Sequence, residues 1–128
     1  MKRILLIALV ACLSVSSSFA QLPNGSTGPD FTVTDINGNT ISLYTDFLDQ
    51  GKPVIMDISA TWCGPCWGFH QTHAMKDIYM NYGDGGSEEI GVLFVEGDAS
   101  TGLGELQGIS GSTLGDWVTG TPYPILDN

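Results

Sequence analysis

Two apolar runs, separated by a segment with a helical pattern, set the main limits on what this chain can fold into. The first run is Val54–Ser59, interrupted only by Asp57, and the second is Ile90–Val95. Residues 63–82 between them have a helical pattern that ends at Gly83. Uniformly apolar runs of this length are typical of strands covered on both faces. The order strand, helix, strand therefore predicts a parallel βαβ unit with a right-handed crossover, as in α/β folds.

Length and charge restrict this unit to one small acidic domain. The chain has 128 residues, with 14 acidic and four basic side chains and a formal net charge of −10. Such a length does not supply two independent cores. Because nucleic-acid binding depends on Lys and Arg to neutralise phosphates, the charge argues against nucleic-acid partners. Three cysteines are also too few for a disulfide-dense scaffold.

Residues 1–20 have the composition of a secretory signal peptide. Lys2 and Arg3 precede the apolar run Ile4–Leu13, which is too short to cross a bilayer, and the segment ends in Ser18-Phe19-Ala20. Small residues stand at the two positions of that ending which a signal peptidase reads. We therefore predict cleavage after residue 20 and a periplasmic or secreted protein.

A lipoprotein signal is the alternative interpretation of the same region. Leu9-Val10-Ala11-Cys12 is similar to a bacterial lipobox, which would make Cys12 a lipidated N-terminal residue. Contact with a membrane is expected only in that case. Either form of export places the remaining cysteines in an oxidising compartment, where a close pair forms a disulfide or cycles between redox states.

A hairpin is predicted before the βαβ unit. Residues 21–29 are rich in turn formers and read as an extended segment. Phe31–Ile36 and Thr40–Tyr44 have strand-like patterns, and the Asn37-Gly38 pair between them favours a tight turn because both residues tolerate positive φ. A short helical turn is expected around Phe47.

The sequence Trp62-Cys63-Gly64-Pro65-Cys66 contains the predicted chemistry. It places Cys63 at the start of the predicted helix, where unpaired amide N–H groups and the helix dipole favour a thiolate. Cys66 follows one turn later, close enough to attack a mixed disulfide on Cys63. Pro65 lacks an N–H that would be unsatisfied in the first turn. The pattern predicts a redox-active pair.

These residues resemble a known family. Val54–Cys66 looks like the active-site strand and turn of thioredoxins, and Gly28–Gly38 is similar to the N-terminal hairpin of exported TlpA/ResA-like thioredoxins. The match is good over about residues 28–98 and loose beyond. The resemblance implies a thioredoxin-like α/β domain over residues 30–128. It also implies thiol-disulfide exchange with protein or peptide disulfides, an electron-donating thiol, and no cofactor.

The resemblance also implies roles for individual side chains. Asp57 lies six positions before Cys63, where thioredoxins have a buried acid that assists the resolving thiol. Burial disfavours a charged carboxylate, so we expect Asp57 to exchange a proton with Cys66. The alternative is a partly solvated carboxylate at a strand end. The residues expected to contact substrate flank the thiols: Trp62, Gly64, Pro65 and Trp67.

Two positions depart from the thioredoxin pattern. Ser59 stands where an aromatic residue is common, and Trp67 follows the second cysteine where Lys or Arg is usual. Trp67 adds apolar surface beside the thiols and removes a positive charge. We expect these departures to affect which substrates the thiols prefer and the reduction potential of the cysteine pair.

A metal site is a weaker hypothesis. Cys66, His70 and His73 have the spacing i, i+4, i+7, which places them on one face of a continuous helix with Cys63 nearby. Two thiolates and two imidazoles suit tetrahedral zinc or copper(I). One short helix would have difficulty surrounding a single ion, so we predict no metal.

The last third of the chain gives weaker signals. Short helices are predicted around residues 103–107 and 114–118, and Trp117 and Tyr123 are expected to pack in the core. The segment Tyr123–Asp127 resembles the Phe-Pro-Val-Leu-x-Asp segment that precedes the cis-proline strand of TlpA-like proteins, so Pro122 is not expected to be that proline. On this interpretation the cis-proline and C-terminal elements follow Asn128, and the fold is incomplete at its C-terminus.

The sequence thus predicts an exported thiol-disulfide oxidoreductase in which Cys63 attacks, Cys66 resolves and Asp57 moves the proton. The alternatives are a non-catalytic thioredoxin-fold module of a larger secreted or surface protein, with a static disulfide, and a metal-handling domain.

Overall fold

The computed structural model describes residues 23–127. The predicted signal peptide and Cys12 lie outside these residues. In chain order the elements are β1 (Thr32–Thr34), β2 (Thr40–Ser42), β3 (Val54–Ser59), α1 (Gly64–His70), α2 (Ala74–Tyr82), β4 (Gly91–Glu96), α3 (Leu103–Leu106) and β5 (Ile125–Leu126). Two helical turns, Leu43–Phe47 and Leu48–Gln50, join β2 to β3. Within the described range, no helix is both long and apolar enough to cross a membrane.

The N-terminal hairpin forms as predicted. Strands β1 and β2 pair antiparallel, with Val33 opposite Ile41. Gly38 has a φ of 87° in the connecting turn, a conformation that glycine adopts without steric cost. The buried Asp35 carboxylate accepts hydrogen bonds from the backbone N–H groups of Asn37 (2.9 Å) and Asn39 (2.8 Å). The side chain of Asp35 therefore fixes the turn.

The predicted parallel βαβ unit is confirmed. Strands β3 and β4 pair in parallel from Val54 opposite Gly91 to Ser59 opposite Glu96, and β5 adds to the other edge of β4. The sheet order β3-β4-β5 makes β4 the central strand. Its residues are almost completely buried. The backbone N–H of Ile36 donates to the carbonyl of Ile125 (3.0 Å), which joins the hairpin to the sheet.

Each face of this sheet packs against its own apolar cluster. The helix-side cluster comprises Met75, Val92, Phe94, Leu106, Trp117, Tyr123 and Ile125. The hairpin-side cluster comprises Ile41, Phe47, Leu93 and Leu126. Alternate residues of β4 point to opposite faces, as the two-residue period of a strand requires. Trp117 is fully buried and Tyr123 nearly so, which confirms the prediction that both are packing residues.

Strand β3 is less buried than predicted. Among residues 23–127 it pairs only with β4, so one edge and part of its hairpin-side face are open. Met56 is 42% exposed and Ile58 is 66% exposed. An apolar run is typical of a strand covered on both faces, but coverage depends on neighbours that the run itself does not specify.

The prediction of a single helix over residues 63–82 is wrong, because α1 and α2 are separate helices. The chain turns between them through His73, which has a φ of 60°. The Thr72 hydroxyl donates to the carbonyl of Phe69 (2.7 Å) and accepts from the N–H of Ala74 (3.3 Å). Threonine hydroxyls compete with backbone groups for helical hydrogen bonds, which accounts for the break.

The described part of the chain after β4 is mostly turns. The helix predicted near residue 103 is confirmed as α3, whereas the one predicted over residues 114–118 is absent. There the Asp116 carboxylate accepts hydrogen bonds from the N–H groups of Val118 and Thr119, which stabilises a turn instead of a helix. All peptide bonds between residues 23 and 127 are trans. That further strands follow Asn128 stays a prediction.

We predict that α3 stabilises the fold through one leucine. Leu106 is completely buried in the helix-side cluster, whereas Leu103 in the same helix is 43% exposed. Leu106→Ala leaves a cavity and should lower the free energy of unfolding by about 3 kcal/mol. Leu103→Ala is the matched control and should lower it by less than about 1 kcal/mol. Urea denaturation followed by circular dichroism measures both, and equal losses would contradict the packing described for α3.

Candidate active site

The two cysteines of the Trp62–Cys66 sequence are joined by a disulfide at the start of α1. The Sγ atoms of Cys63 and Cys66 are 2.04 Å apart and the Cα atoms 5.3 Å. Cys63 is the residue before the helix, with Pro65 in its first turn. The Cys66 N–H donates to the Cys63 sulfur at 3.4 Å. In the reduced protein the same N–H would stabilise a thiolate on Cys63.

The disulfide borders an open groove of about 410 Å³ at the carboxyl ends of β3 and β4. Ile58, Trp62 and Gly97 are among its lining residues, together with both cysteines. Gly64 and Pro65 are exposed beside it, and Trp62 is 53% exposed. A substrate disulfide can therefore approach Cys63 from this side. That Trp62, Gly64 and Pro65 contact substrate stays a prediction.

A hydrogen bond fixes the orientation of Trp62. Its indole Nε1–H donates to Oδ2 of Asp98 at 2.8 Å. Asp98 also accepts from the N–H and the hydroxyl of Ser100. The hydrogen bonds from Ser100, followed by the one from Trp62, lower the pKa of Asp98, so the carboxylate stays charged and keeps its donors. The pairing of Trp62 with Asp98 has no local signal in the sequence, because 36 residues separate them.

Asp57 lies on the helix side of β3. It is in register with Phe94 of the helix-side cluster, and Cys66 packs against that same cluster. Its Oδ1 accepts a hydrogen bond from the hydroxyl of Ser59 (2.8 Å), and its Oδ2 is buried. Asp57 and Cys66 therefore border one buried region, the arrangement that proton exchange between them requires. The role of Asp57 in that exchange stays a prediction.

The turn before the disulfide is held by a completely buried carboxylate. Both Thr61 and Glu96 are 0% exposed. Glu96 accepts hydrogen bonds from the N–H groups of Thr61 and Asp98, each at 3.0 Å. The Thr61 hydroxyl donates to the carbonyl of Ser112 (2.8 Å), and its carbonyl accepts from the N–H of Leu114 (3.0 Å). The role of Glu96 was not predicted from the sequence. The one signal for it is a carboxylate directly after the apolar run Ile90–Val95.

Trp67 packs against other aromatic rings. Its ring centroid lies 4.8 Å from that of Trp117 and 5.4 Å from that of His70. A Cβ atom added to Gly115 would clash with the Trp67 ring. Trp67 is only partly buried, and its contact with substrate stays a prediction.

The arrangement expected for a metal site does not form. His70 ends α1, and His73 follows the break with a left-handed backbone, so His73 does not continue the helix face that Cys66 and His70 share. Among residues 23–127 there is no group of three or more His, Cys, Asp or Glu side chains that could hold a metal ion. The i, i+4, i+7 spacing was misleading because the helix is interrupted at residues 71–73.

Comparison with known proteins gives relatives of one kind. The chain is 33% identical to the thiol:disulfide interchange protein DsbE of Vibrio cholerae over 104 residues, covering 65% of the chain and 56% of that protein. It is 27% identical to DsbE of Escherichia coli K12, covering 98% of the chain and 79% of the relative. The thiol-disulfide oxidoreductase ResA of Geobacillus thermodenitrificans is 32% identical, with 72% and 53% covered. No family model matches the chain.

Solved structures agree with these relatives. The solution structure of a provisionally assigned protein disulfide isomerase from Bacteroides thetaiotaomicron superposes with a TM-score of 0.59 at 25% identity. It covers 81% of the chain and 57% of that structure. A provisionally assigned thiol-disulfide oxidoreductase from Bacteroides vulgatus gives a TM-score of 0.54 at 23% identity, which supports the fold.

The chain has a thioredoxin-like fold. The two solved structures share it, and the cysteine pair lies at the expected strand-to-helix turn. This thioredoxin-like chain spans little more than half the length of several of its relatives, including DsbE of Vibrio cholerae.

We predict that Glu96 stabilises the thioredoxin-like domain through its two backbone hydrogen bonds. Glu96→Gln replaces one acceptor oxygen by an NH₂ group that faces a backbone donor, so the free energy of unfolding should fall by about 2 kcal/mol. Glu88→Gln makes the same chemical change at an exposed position and should change it by less than about 0.5 kcal/mol. Urea denaturation measures both variants. Equal stability of Glu96→Gln and the unchanged chain would show that these bonds contribute nothing.

Proposed function

We propose that the chain is a thiol-disulfide oxidoreductase that acts on protein disulfides outside the cytoplasm through the Cys63/Cys66 pair. The observation that supports this most directly is the disulfide at the start of α1, bordering an open groove beside the exposed Trp62. A disulfide that only stabilised the fold would not need to be accessible to another molecule. The names of the DsbE and ResA relatives agree with this activity.

The first step is attack by the outer sulfur. In the reduced protein the Cys63 thiolate attacks one sulfur of a substrate disulfide, which forms a mixed disulfide and releases the other substrate sulfur as a thiolate. The position of Cys63 before α1, with the Cys66 N–H aimed at its sulfur, favours the anion required for this attack. Trp62, held by Asp98, orients the substrate at the rim of the groove.

The second step resolves the mixed disulfide. Cys66 gives its proton to the Asp57 carboxylate and attacks the Cys63 sulfur. The bond between Cys63 and the substrate breaks, and the substrate's remaining sulfur leaves as a thiolate. The substrate has then gained two electrons and the protein has become the disulfide form. A thiol donor returns two electrons to the protein and completes the cycle.

Export defines where this exchange takes place. Residues 1–20 are proposed to direct export, which gives a periplasmic or secreted protein, and lipidation of Cys12 would anchor it to a membrane. An oxidising compartment supplies protein disulfides as substrates. The proposed partners are these substrates and the electron-donating thiol.

We predict that the chain reduces insulin with dithiothreitol as the electron source. Cys63→Ser removes the attacking sulfur and should abolish the protein-dependent rate. Cys66→Ser removes only the resolving sulfur, so it should accumulate a mixed disulfide on Cys63 that mass spectrometry detects. Precipitation of reduced insulin gives the turnover rate. Equal turnover by the unchanged chain and Cys63→Ser would refute the oxidoreductase function and favour a non-catalytic module with a static disulfide.

A further inference from the structure

Three polar atoms lie buried near the active-site disulfide without a hydrogen-bond partner among residues 23–127. They are Oδ2 of Asp57, Nδ1 of His70 and Nε1 of Trp117. Buried polar atoms in native proteins are nearly always paired, since leaving one unpaired costs free energy. Two of the three belong to side chains that exchange protons in water near neutral or acidic pH. These unpaired atoms therefore suggest a role in proton transfer, which requires atoms that are able to accept a proton.

The three side chains belong to one buried layer on the helix side of the sheet. Asp57 is in register with Phe94, so both side chains point to that side. The His70 ring centroid lies 6.3 Å from that of Phe94 and 4.9 Å from that of Trp117. Cys66 packs against the same cluster. Since His70 follows Cys66 by one turn of α1, the two side chains lie on one face of that helix.

A small cavity connects His70 to the protein surface. It has a volume of about 20 Å³ and is lined by His70, His73, Lys76, Tyr123 and the segment 119–121. This volume suits one water molecule, and the lining offers that water several polar partners. His73 lies at the surface. The cavity thus offers a water site between the half-buried imidazole and solvent, and it shares no lining residue with the substrate groove.

We propose that His70 is the residue through which the proton released by Cys66 leaves the protein. This inference rests on the proposed function. The Cys66 thiol gives its proton to Asp57, Asp57 passes it to the neutral His70 imidazole, and His70 passes it to water in the cavity. Cys66 then forms its bond to Cys63, while Asp57 and His70 return to their starting protonation states. In the reverse direction the same route brings a proton in.

The charges around His70 suit this role. Burial lowers the pKa of His70, and the charge of His73 lowers it further, while Asp57 and Asp116 act in the opposite direction. The net effect is a lowered pKa, so the imidazole is neutral at pH 7 and can accept a proton.

The phenol at the cavity does not compete with His70 for the proton. Burial, followed by the charge of Asp57, raises the pKa of Tyr123 to about 12, so its phenol stays protonated. A protonated phenol does not take the proton in place of the imidazole.

Single-turnover kinetics with His70→Gln tests the proposal. Glutamine keeps polar atoms of similar reach but does not titrate. Reaction of the reduced protein with a small aromatic disulfide, stopped in acid and analysed by mass spectrometry, separates formation of the mixed disulfide from its resolution. We expect resolution to slow by about a hundredfold in His70→Gln, the lower end of the range for acid–base catalysis. Attack by Cys63, measured with Cys66→Ser as background, should not change.

The pH profile separates proton transfer from packing. In the unchanged chain, resolution should slow as pH falls through the lowered pKa of His70, because a protonated imidazole cannot accept another proton. His70→Gln should lose this pH dependence. His73→Gln leaves the His70 imidazole in place and should keep it, moved to higher pH because the charge of His73 no longer lowers the pKa of His70. A wild-type rate and profile in His70→Gln would overturn the proposal. Loss of that pH dependence in His73→Gln would also overturn the proposal. So would an equal slowing of attack and resolution in His70→Gln.

Nuclear magnetic resonance of the unchanged chain provides a test that does not depend on folding of a variant. In the reduced protein a pH titration of the His70 ring signals should show a second inflection, caused by ionisation of Cys66. The disulfide form should lack this inflection. Identical His70 titrations in both redox states would overturn the proposal. If the unchanged chain fails to exchange with any disulfide, the proposed function fails instead, and the His70 titration still decides whether the imidazole and the thiol are coupled.

Discussion

The position of the active-site disulfide depends on a carboxylate that solvent does not reach. Glu96 stands at the end of the central strand, and its two oxygens accept the N–H groups of Thr61 and Asp98. One bond fixes the turn that leads to Cys63, and the other fixes the turn that leads to the carboxylate holding Trp62. Burying a polar side chain is unfavourable unless its hydrogen bonds are satisfied. One side chain of the central strand therefore holds the turn before Cys63 in place relative to the sheet.

The two sides of the disulfide have different physical characters. The Cys63 side opens on a groove with Trp62 at its rim, where a substrate can approach. On the other side Cys66 packs against the helix-side cluster, and Asp57 and His70 both lie beside Phe94 of that cluster. This division suits a reaction in which bonds to substrate change on one side while a proton moves on the other.

Sequence patterns were sufficient for local features and insufficient for those that depend on distant neighbours. The apolar run Val54–Ser59 and the motif ending in Cys66 defined a strand and a redox turn, because strand period and helix-start chemistry are local. The break at His73 was not foreseen, since a threonine hydroxyl that replaces a helical bond has no strong signature. The packing of Trp67 likewise depends on Trp117, fifty positions later.

Glu96 and His70 show the same limit at the site itself. A carboxylate ending an apolar run reads as a turn residue until the amides that it satisfies are known. A histidine one turn after a cysteine reads as a metal ligand until the helix is seen to end there. Spacing in sequence identifies which residues share a face, but only the tertiary contacts decide whether that face meets an ion, a solvent channel or a core.

The placement of the tryptophans gives the molecule an optical property. The chain has three, and all of them lie at the active site: Trp62 precedes Cys63, Trp67 follows Cys66, and Trp117 packs against Trp67. No indole elsewhere contributes background emission. The tryptophan fluorescence of the protein therefore originates within a few side chains of the sulfur pair, so a change in bonding between those sulfurs is visible without any added label.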